Sequence, residues 1–399
     1  MIKRKRYQEW LAKHRDNGLI KVISGVRRSG KSTLFELHKM YLLEAGVERE
    51  KIIHINFEDL RYYDLRNFLS LHEHILELTK DRGNYYIFLD EIQNVEKYQE
   101  VVNSLNLLGN LDIYITGSNA YFMSGELATL LTGRYIELQI LPLSFGEYYS
   151  QHSHLTPIEV YEKYKKTAFP FLVHTEDLEE RSYYLRSAYN DIALKDIVAR
   201  YRITEQNLLE RVLRFLMSAI GSEISINKIA NTLKSQKTSI SNNTVERYVD
   251  AFINGLIIYP ALRYDIKGRK LLSRWEKYYA VDIGFRELLL PDAVGDEGHI
   301  LENIVFLELK RRYKAVYVGK TEKYEVDFVC LDDENNSYYY QVALETLSEE
   351  TLRREIRALE DINDNNPKYL LTLDLINKNA NYNGIKKVNV LDWLLEEAT

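Results

Sequence analysis

The chain has 399 residues, of which 45% are hydrophobic and 28% charged, and a formal net charge of −6 at pH 7. That mix excludes a wholly disordered or collagen-like chain, and domains of about 100–200 residues predict two to four of them. A single cysteine, Cys330, excludes an intrachain disulfide and fits a reducing cytoplasm.

No run of about 18 apolar residues predicts a membrane span. The opening stretch, Met1 to Trp10, is basic but has no apolar core behind it, so it does not read as a signal peptide. Charge is unevenly placed: residues 1–35 hold ten Lys/Arg against two Asp/Glu, and residues 225–275 hold nine against three. Local basic excess in an acidic chain marks either polyanion contact or a solvated face balanced in space.

Residues 19–24, Leu-Ile-Lys-Val-Ile-Ser, are short and rich in β-branched side chains, which predicts a buried strand. Gly25-Val26-Arg27-Arg28-Ser29-Gly30-Lys31-Ser32-Thr33 follows at once, then apolar residues at helical spacing from Leu34 to Leu43. Strand, GxxxxGK[ST] and helix in that order predict a phosphate-binding P-loop. Gly25 and Gly30 permit the tight wrap, while the loop amides of Arg28, Ser29 and Thr33 face the phosphates with the helix N-terminus. Lys31 is expected on the β- and γ-phosphates of ATP, and Ser32 on Mg²⁺.

Tyr85 to Glu91 is an apolar run ending in two acids, the pattern expected of a Walker B strand. Asp90 would join the Mg²⁺ shell, and Glu91 would act as general base toward water. A third strand, Leu111 to Thr116, ends in Gly117-Ser118-Asn119, polar groups in reach of a γ-phosphate or the attacking water. Thr132-Gly133-Arg134 adds an arginine for a phosphate of its own or a neighbouring subunit.

The P-loop, Leu89-Asp90-Glu91-Ile92-Gln93, the segment from Thr116 to Asn119, the segment from Thr132 to Tyr135 and the segment from Leu141 to Tyr148 together resemble a prokaryotic family of AAA-superfamily ATPases that carry a C-terminal domain of unknown function. The resemblance implies a sensor 1 region at Ser118 and Asn119, an arginine finger or sensor at Arg134, and a homo-oligomer in which Arg134 acts in cis or in trans.

Mixed-charge helices are expected over 157–200. Residues 207–219 show a 3.6-residue apolar period, 225–233 form a short amphipathic helix, and 241–253 a third helix. Apolar runs 256–260 and 278–281 flank Lys267-Gly268-Arg269-Lys270. Three helices and a basic β-ribbon describe a winged helix. In a DNA-binding version, residues 241–248 face the major groove and the basic loop lies on the backbone. The basic excess over 225–275 favours nucleic acid, and docking of a protein partner is the alternative.

Residues 299–313 read as a helix; strands are expected at 316–319, 325–331 and 337–343. This layout resembles the restriction-endonuclease-like fold, in which an acid on one strand and a Glu or Gln on the next hold Mg²⁺ and a lysine two residues later stabilises charge. Asp327 matches the first acid, Gln341 the second and Glu302 the helical glutamate, but the lysine position holds Ala343. The motif is incomplete unless a lysine comes from elsewhere, so nuclease activity is not expected.

The sequence thus predicts an α/β protein. An AAA-like P-loop NTPase domain with a parallel sheet spans 1–150, a helical and winged-helix region 151–285, and a small restriction-endonuclease-like domain 286–399. The expected activity is Mg²⁺-dependent ATP hydrolysis in the cytoplasm that rearranges the later domains, on DNA or with a protein partner; an ATP-controlled nuclease and an ATP-binding adaptor or switch for a protein partner are the alternatives. The paired histidines His72/His74 and His152/His154 lack a third ligand in sequence and read as surface residues.

Overall fold

The computed structural model describes residues 1–81, 83–118, 131, 133–291 and 296–396, with only the backbone at 193–195 and 273–276. The chain divides into two units, residues 1–142 with 254–256, and residues 143–253 with 257–399.

The first unit is built on five parallel strands: β1 (Ile20–Gly25), β2 (Ile52–Asn56), β3 (Tyr85–Asp90), β4 (Leu111–Gly117) and β5 (Tyr135–Ile140), in the order β2-β3-β4-β1-β5. β1, β3 and β4 are buried along their whole length, as continuous apolar runs in a doubly covered parallel sheet require. Helices α1 (Lys5–Lys13) and α2 (Lys31–Glu44) cover one face through Leu11, Leu34 and Phe35. Helices α3 (Phe68–Leu78) and α4 (Tyr98–Asn106) cover the other through Leu71, Ile75, Val102 and Leu105. Asn67 caps α3 by accepting from the amides of Leu69 and Ser70.

Part of the basic excess of residues 1–35 turns inward, while Lys3, Lys5, Arg6 and Lys13 stay exposed. Arg4, Lys21 and Lys31 are buried, Lys21 against Asp112, and Arg27 pairs with Glu58 at 3.2 Å.

The second unit opens with short helices α5 (Phe145–Tyr149) and α6 (Pro157–Tyr164), then α7 (Leu178–Tyr189), which runs on through a π-helical stretch, Asn190–Val198. Next come α8 (Gln206–Ser218), β6 (Glu223–Ile224), α9 (Ile226–Ser235), α10 (Asn242–Asn254) and a hairpin of β7 (Ile258–Asp265) with β8 (Lys270–Ala280). Beyond α11 (Ile283–Leu289) lie α12 (Glu297–Arg312), β9 (Ala315–Lys320), β10 (Glu325–Leu331), β11 (Ser337–Ala343), α13 (Glu349–Glu360), β12 (Lys368–Thr372), β13 (Asn381–Tyr382), β14 (Ile385–Asn389) and α14 (Val390–Leu395).

The sequence-based boundary at 285/286 falls inside this second unit. β7 pairs in parallel with β9 through Arg263↔Val318, Tyr264↔Gly319 and Asp265↔Lys320, so hairpin and C-terminal strands form one nine-stranded sheet. No composition shift announces this pairing, because its residues lie more than fifty positions apart. A Cβ on Gly319 would meet Val329 Cγ2 at 2.7 Å, so the pairing also needs a bare backbone there.

His38 on α2 is buried, its Nε2 is 3.2 Å from the Tyr114 hydroxyl, and burial pulls its pKa down to about 4. A folded-state pKa below the unfolded value favours folding above about pH 6.5, and that contribution fades as pH falls toward 4. Urea unfolding at pH 8 and pH 5 should show a loss on the order of 2 kcal/mol from this group. His38→Gln should lose correspondingly less over the same interval.

Candidate nucleotide-phosphate site

Parallel strands place the next loop or helix at their C-terminal ends, and here four of those ends converge. β1 leads into the P-loop and α2, with Gly30 in the left-handed region (φ 99°) as N-cap. A Cβ at Gly25 would lie 2.5 Å from the Ile140 carbonyl oxygen, so only glycine lets the loop leave β1 beside β5. Arg4 fastens this turn from below: its guanidinium donates to the carbonyls of Ser29 (2.9 Å), Leu141 (2.9 Å) and Pro142 (3.2 Å).

Lys31 is buried at the start of α2 and donates to the Gly25 carbonyl at 3.1 Å. Its ammonium also lies 3.4 Å from Glu91 Oε1. Ser32 and Thr33 are exposed on the first helical turn. Arg28 takes a positive φ of 68° within the loop. The Ser29 hydroxyl is buried without a hydrogen-bond partner among the described residues.

β4 lies between β1 and β3 and ties the acids in place. Thr116 donates to Asp90 Oδ1 at 2.5 Å and accepts from the Glu91 amide at 2.9 Å. Among the described residues, Asp90 Oδ2 is buried and has no partner. A buried carboxylate oxygen without a donor is costly, and a Mg²⁺ ion or its water would satisfy it. These residues therefore fit the nucleotide and metal that the motif implies. Asp90 and Ser32 would hold the ion, which would neutralise phosphate charge.

Glu91 sits in the left-handed region (φ 53°), which costs a non-glycine residue roughly 1–2 kcal/mol. Burial opposes its charge, but Lys31, Gln93 and Arg27 outweigh that and hold the carboxyl below its usual range. Sequence reasoning passed over Gln93, Thr116 as a tie between the acids, and Glu58. Burial and the Glu91 charge push the Glu58 carboxyl up. An acid just past the end of β2 was the available signal.

One expected residue, Arg134, is not brought to this site. Asn119 lies outside the described residues. Arg134 stands at the opposite end of the sheet, where Ile20 pairs with Tyr135, while the P-loop end pairs Gly25 with Ile140. Five residues of strand separate those ends by roughly 17 Å. The Arg134 guanidinium donates to Asn103 of α4, away from the P-loop end of its own sheet.

In the second unit, the acids expected together do meet, and a lysine joins them. Glu302 of α12 accepts from Lys277 (3.1 Å) and Tyr279 (2.6 Å). Lys277 also pairs with Glu325 at 2.9 Å. Asp327 accepts from the Val342 amide at 2.8 Å, and Gln341 accepts from the Asp327 amide at 3.2 Å. Burial, then the Glu302 charge, push Asp327 well above the carboxylate range. Lys277 of β8, remote in sequence and separated from β10 by β9 and β7 in the strand order, is the cation from elsewhere that the incomplete motif left open.

Among the described residues, no three His, Cys, Asp or Glu side chains are arranged to hold a metal ion. That includes His152, which is buried, not on the surface as expected. It bonds the Val173 carbonyl at 2.7 Å, and the rings of His154 and His174 flank it at 6.2 and 5.6 Å.

A P-loop, an acid pair at the neighbouring strand end and a central strand between them define a P-loop NTPase. The family described as AAA domain matches residues 17–149, and one described as a domain of unknown function (DUF8612) matches residues 165–293. An uncharacterized protein of Haemophilus influenzae is 38% identical over 99% of both chains. The uncharacterized protein MJ1544 of Methanocaldococcus jannaschii is 33% identical over 94% of this chain and 85% of its own. Among solved structures, the Walker-type ATPase PABY2304 of Pyrococcus abyssi is similar over 72% of this chain and 96% of its own, at 16% identity and a TM-score of 0.47. Residues 17–149 belong to the AAA domain family, and the whole chain belongs to one family with the Haemophilus influenzae and Methanocaldococcus jannaschii proteins. Among the described residues, no helix is long and apolar enough to cross a membrane.

Replacing Arg4 with Met should strand three carbonyls under the P-loop. Unfolding should be easier by about 2–4 kcal/mol, and ATP affinity should fall several-fold. Denaturant titration and fluorescent-nucleotide binding read the two effects separately.

Proposed function

We propose that this protein binds ATP with Mg²⁺ at the P-loop of the first unit and hydrolyses it, and that the second unit works on DNA. The observation that carries the hydrolytic reading is Glu91, a buried carboxylate beside Lys31 and fixed by Thr116 and Gln93. A site that only bound nucleotide would have no use for a strained, buried base next to the metal-binding acid. In the proposed reaction Lys31 leaves Glu91 for the β- and γ-phosphates, and Glu91 then takes the proton of the attacking water. Mg²⁺, when bound, supplies Lewis acidity on phosphate oxygens. Arg134 has no part in its own chain's site. A role in trans needs a second copy.

The DNA reading rests on α8, α9, α10 and the β7–β8 hairpin, read as a winged helix. Lys228, Lys234 and Lys237 on and just after α9, Arg247 on α10, and Lys267, Arg269 and Lys270 at the hairpin turn are exposed. Ser241, Asn242 and Asn243 are exposed at the start of α10, where a major-groove helix makes base contacts. Seven exposed cations within fifty residues, of which Lys267 is paired with Glu322, would supply the phosphate contacts such binding needs. A protein partner on the same face is the alternative. Hydrolysis would then reposition the second unit on its partner.

ATP turnover with Mg²⁺, measured with and without duplex and single-stranded DNA, tests both readings, with Lys31→Ala as the blank. Turnover that DNA stimulates, and that Lys31→Ala abolishes, is expected. Turnover indifferent to DNA assigns the exposed basic face to a protein partner.

One observation supports a second reading, metal-dependent cleavage of DNA by the C-terminal strands. Helix, three antiparallel strands, helix and strand follow in the order of a restriction-endonuclease-like core, and Lys277 stands among its acids. Incubation of supercoiled and linear DNA with Mg²⁺ or Mn²⁺ decides it. Cleavage that both Asp327→Ala and Lys277→Met abolish supports a nuclease. Intact DNA ends that reading, which is the result expected from a lysine already neutralised by Glu302 and Glu325.

A further inference from the structure

We infer that Gln93 is the positioning residue of the hydrolytic site: it aims Glu91 and, with it, cradles the attacking water. The inference rests on the ATPase reading above and extends it from a contact that fixes Glu91 to the placement of the attacking water.

Gln93 stands two residues beyond Glu91, on the 3-10 turn that follows β3. The left-handed backbone of Glu91 and the fully buried Ile92 side chain pin that turn to the core. Gln93 Nε2 donates to Glu91 Oε2 at 2.5 Å and reaches Ser118 Oγ at 3.4 Å. Glu91 Oε1 faces the Lys31 ammonium at 3.4 Å. The two carboxylate oxygens are thus held from opposite sides, one by the P-loop lysine and one by an amide.

That division has a consequence when nucleotide binds. Phosphate oxygens draw Lys31 toward them, and the Oε1 contact weakens. Gln93 and Ser118 are then the described side chains that keep the carboxylate from swinging. Glu91 becomes available as a base without losing its aim.

The other end of the amide offers the water an acceptor. Gln93 Oε1 is buried and has no hydrogen-bond partner among the described residues. The opposite amide orientation would set two acceptors against each other at Glu91, so the hydrogen-bond network fixes the nitrogen toward the carboxylate and the oxygen away from it. A buried acceptor costs free energy until a donor arrives. Water brings two O–H donors: one for Glu91 Oε1, the other for Gln93 Oε1. A water held by both has a lone pair left for the γ-phosphorus.

In the step this serves, the water oxygen forms a bond to the γ-phosphorus. The bond from that phosphorus to the β–γ bridging oxygen breaks, and its electron pair leaves with ADP. The water proton passes to Glu91 and from there to phosphate or solvent. No oxidant, reductant or further reactant is needed.

Gln93→Met keeps the length of the side chain and removes both polar ends; Gln93→Ala is the second variant should Met disturb the turn. Steady-state turnover, equilibrium binding of a fluorescent ATP analogue and thermal midpoints are measured on the full chain, alongside Glu91→Gln and the double variant Glu91→Gln/Gln93→Met. We expect kcat to fall about 10- to 100-fold with nucleotide affinity held within about twofold. The double variant should lose nothing further beyond Glu91→Gln, because the two residues act as one unit. A kcat within about twofold of the parent overturns the inference, as do losses that add in the double variant or that appear in affinity and not in kcat. Parental turnover with an unaffected Gln93→Met protein sinks this inference alone. A parent that binds ATP and never hydrolyses it sinks the ATPase reading with it.

Discussion

The nucleotide end of the first sheet depends on keeping opposite charges close together in a place that excludes most water. Lys31 and Glu91 are both buried, and each is stable there because the other is 3.4 Å away. Around that pair the remaining features follow. β4 must run between the P-loop strand and the Walker B strand, because Thr116 at its end has to touch Asp90 and the Glu91 amide together. Gly25 must lack a side chain for the loop to pass Ile140, and Arg4 must be buried to take up carbonyls that the tight loop leaves unpaired. The strained backbone of Glu91 is sustained by this scaffold.

The same physics recurs in the second unit with a different outcome. Glu302, Glu325 and Asp327 crowd one end of the nine-stranded sheet, and a lysine from the hairpin neutralises part of that charge. This is why the hairpin and the C-terminal strands belong to one body. Parallel pairing of β7 with β9 brings Lys277 to the acids, and the acids hold β8 to α12 through Lys277 and Tyr279. An ammonium bonded to two carboxylates stabilises the sheet. It also reduces the acid surplus on which a divalent cation would otherwise draw.

Where function needs contiguous residues, the sequence was legible. The P-loop carries glycine, lysine and hydroxyl at fixed spacing between a strand and a helix, so Gly25, Gly30, Lys31 and Ser32 could be read directly. Asp90 and Glu91 were legible because a strand ends in them. What remained hidden was set by strand order. Arg134 looked close to the nucleotide because it follows the β4 segment in sequence, yet β5 begins at the far end of the sheet and carries Arg134 there. Lys277 was invisible as a partner of Asp327 because fifty residues and a strand crossover separate them. Gln93 was in plain view within Leu-Asp-Glu-Ile-Gln, but only the left-handed turn at Glu91 shows that its amide comes back onto the base.

The most direct test of the account is the Glu91→Gln protein, compared with the parent for ATP affinity and for single-turnover hydrolysis. The account predicts ATP binding at least as tight as in the parent, because Lys31 no longer has to leave an ion pair. It also predicts hydrolysis slower by about 100-fold or more, because the base is gone. A Glu91→Gln protein that hydrolyses ATP at the parental rate would contradict the central claim that this buried, lysine-paired carboxylate drives the reaction.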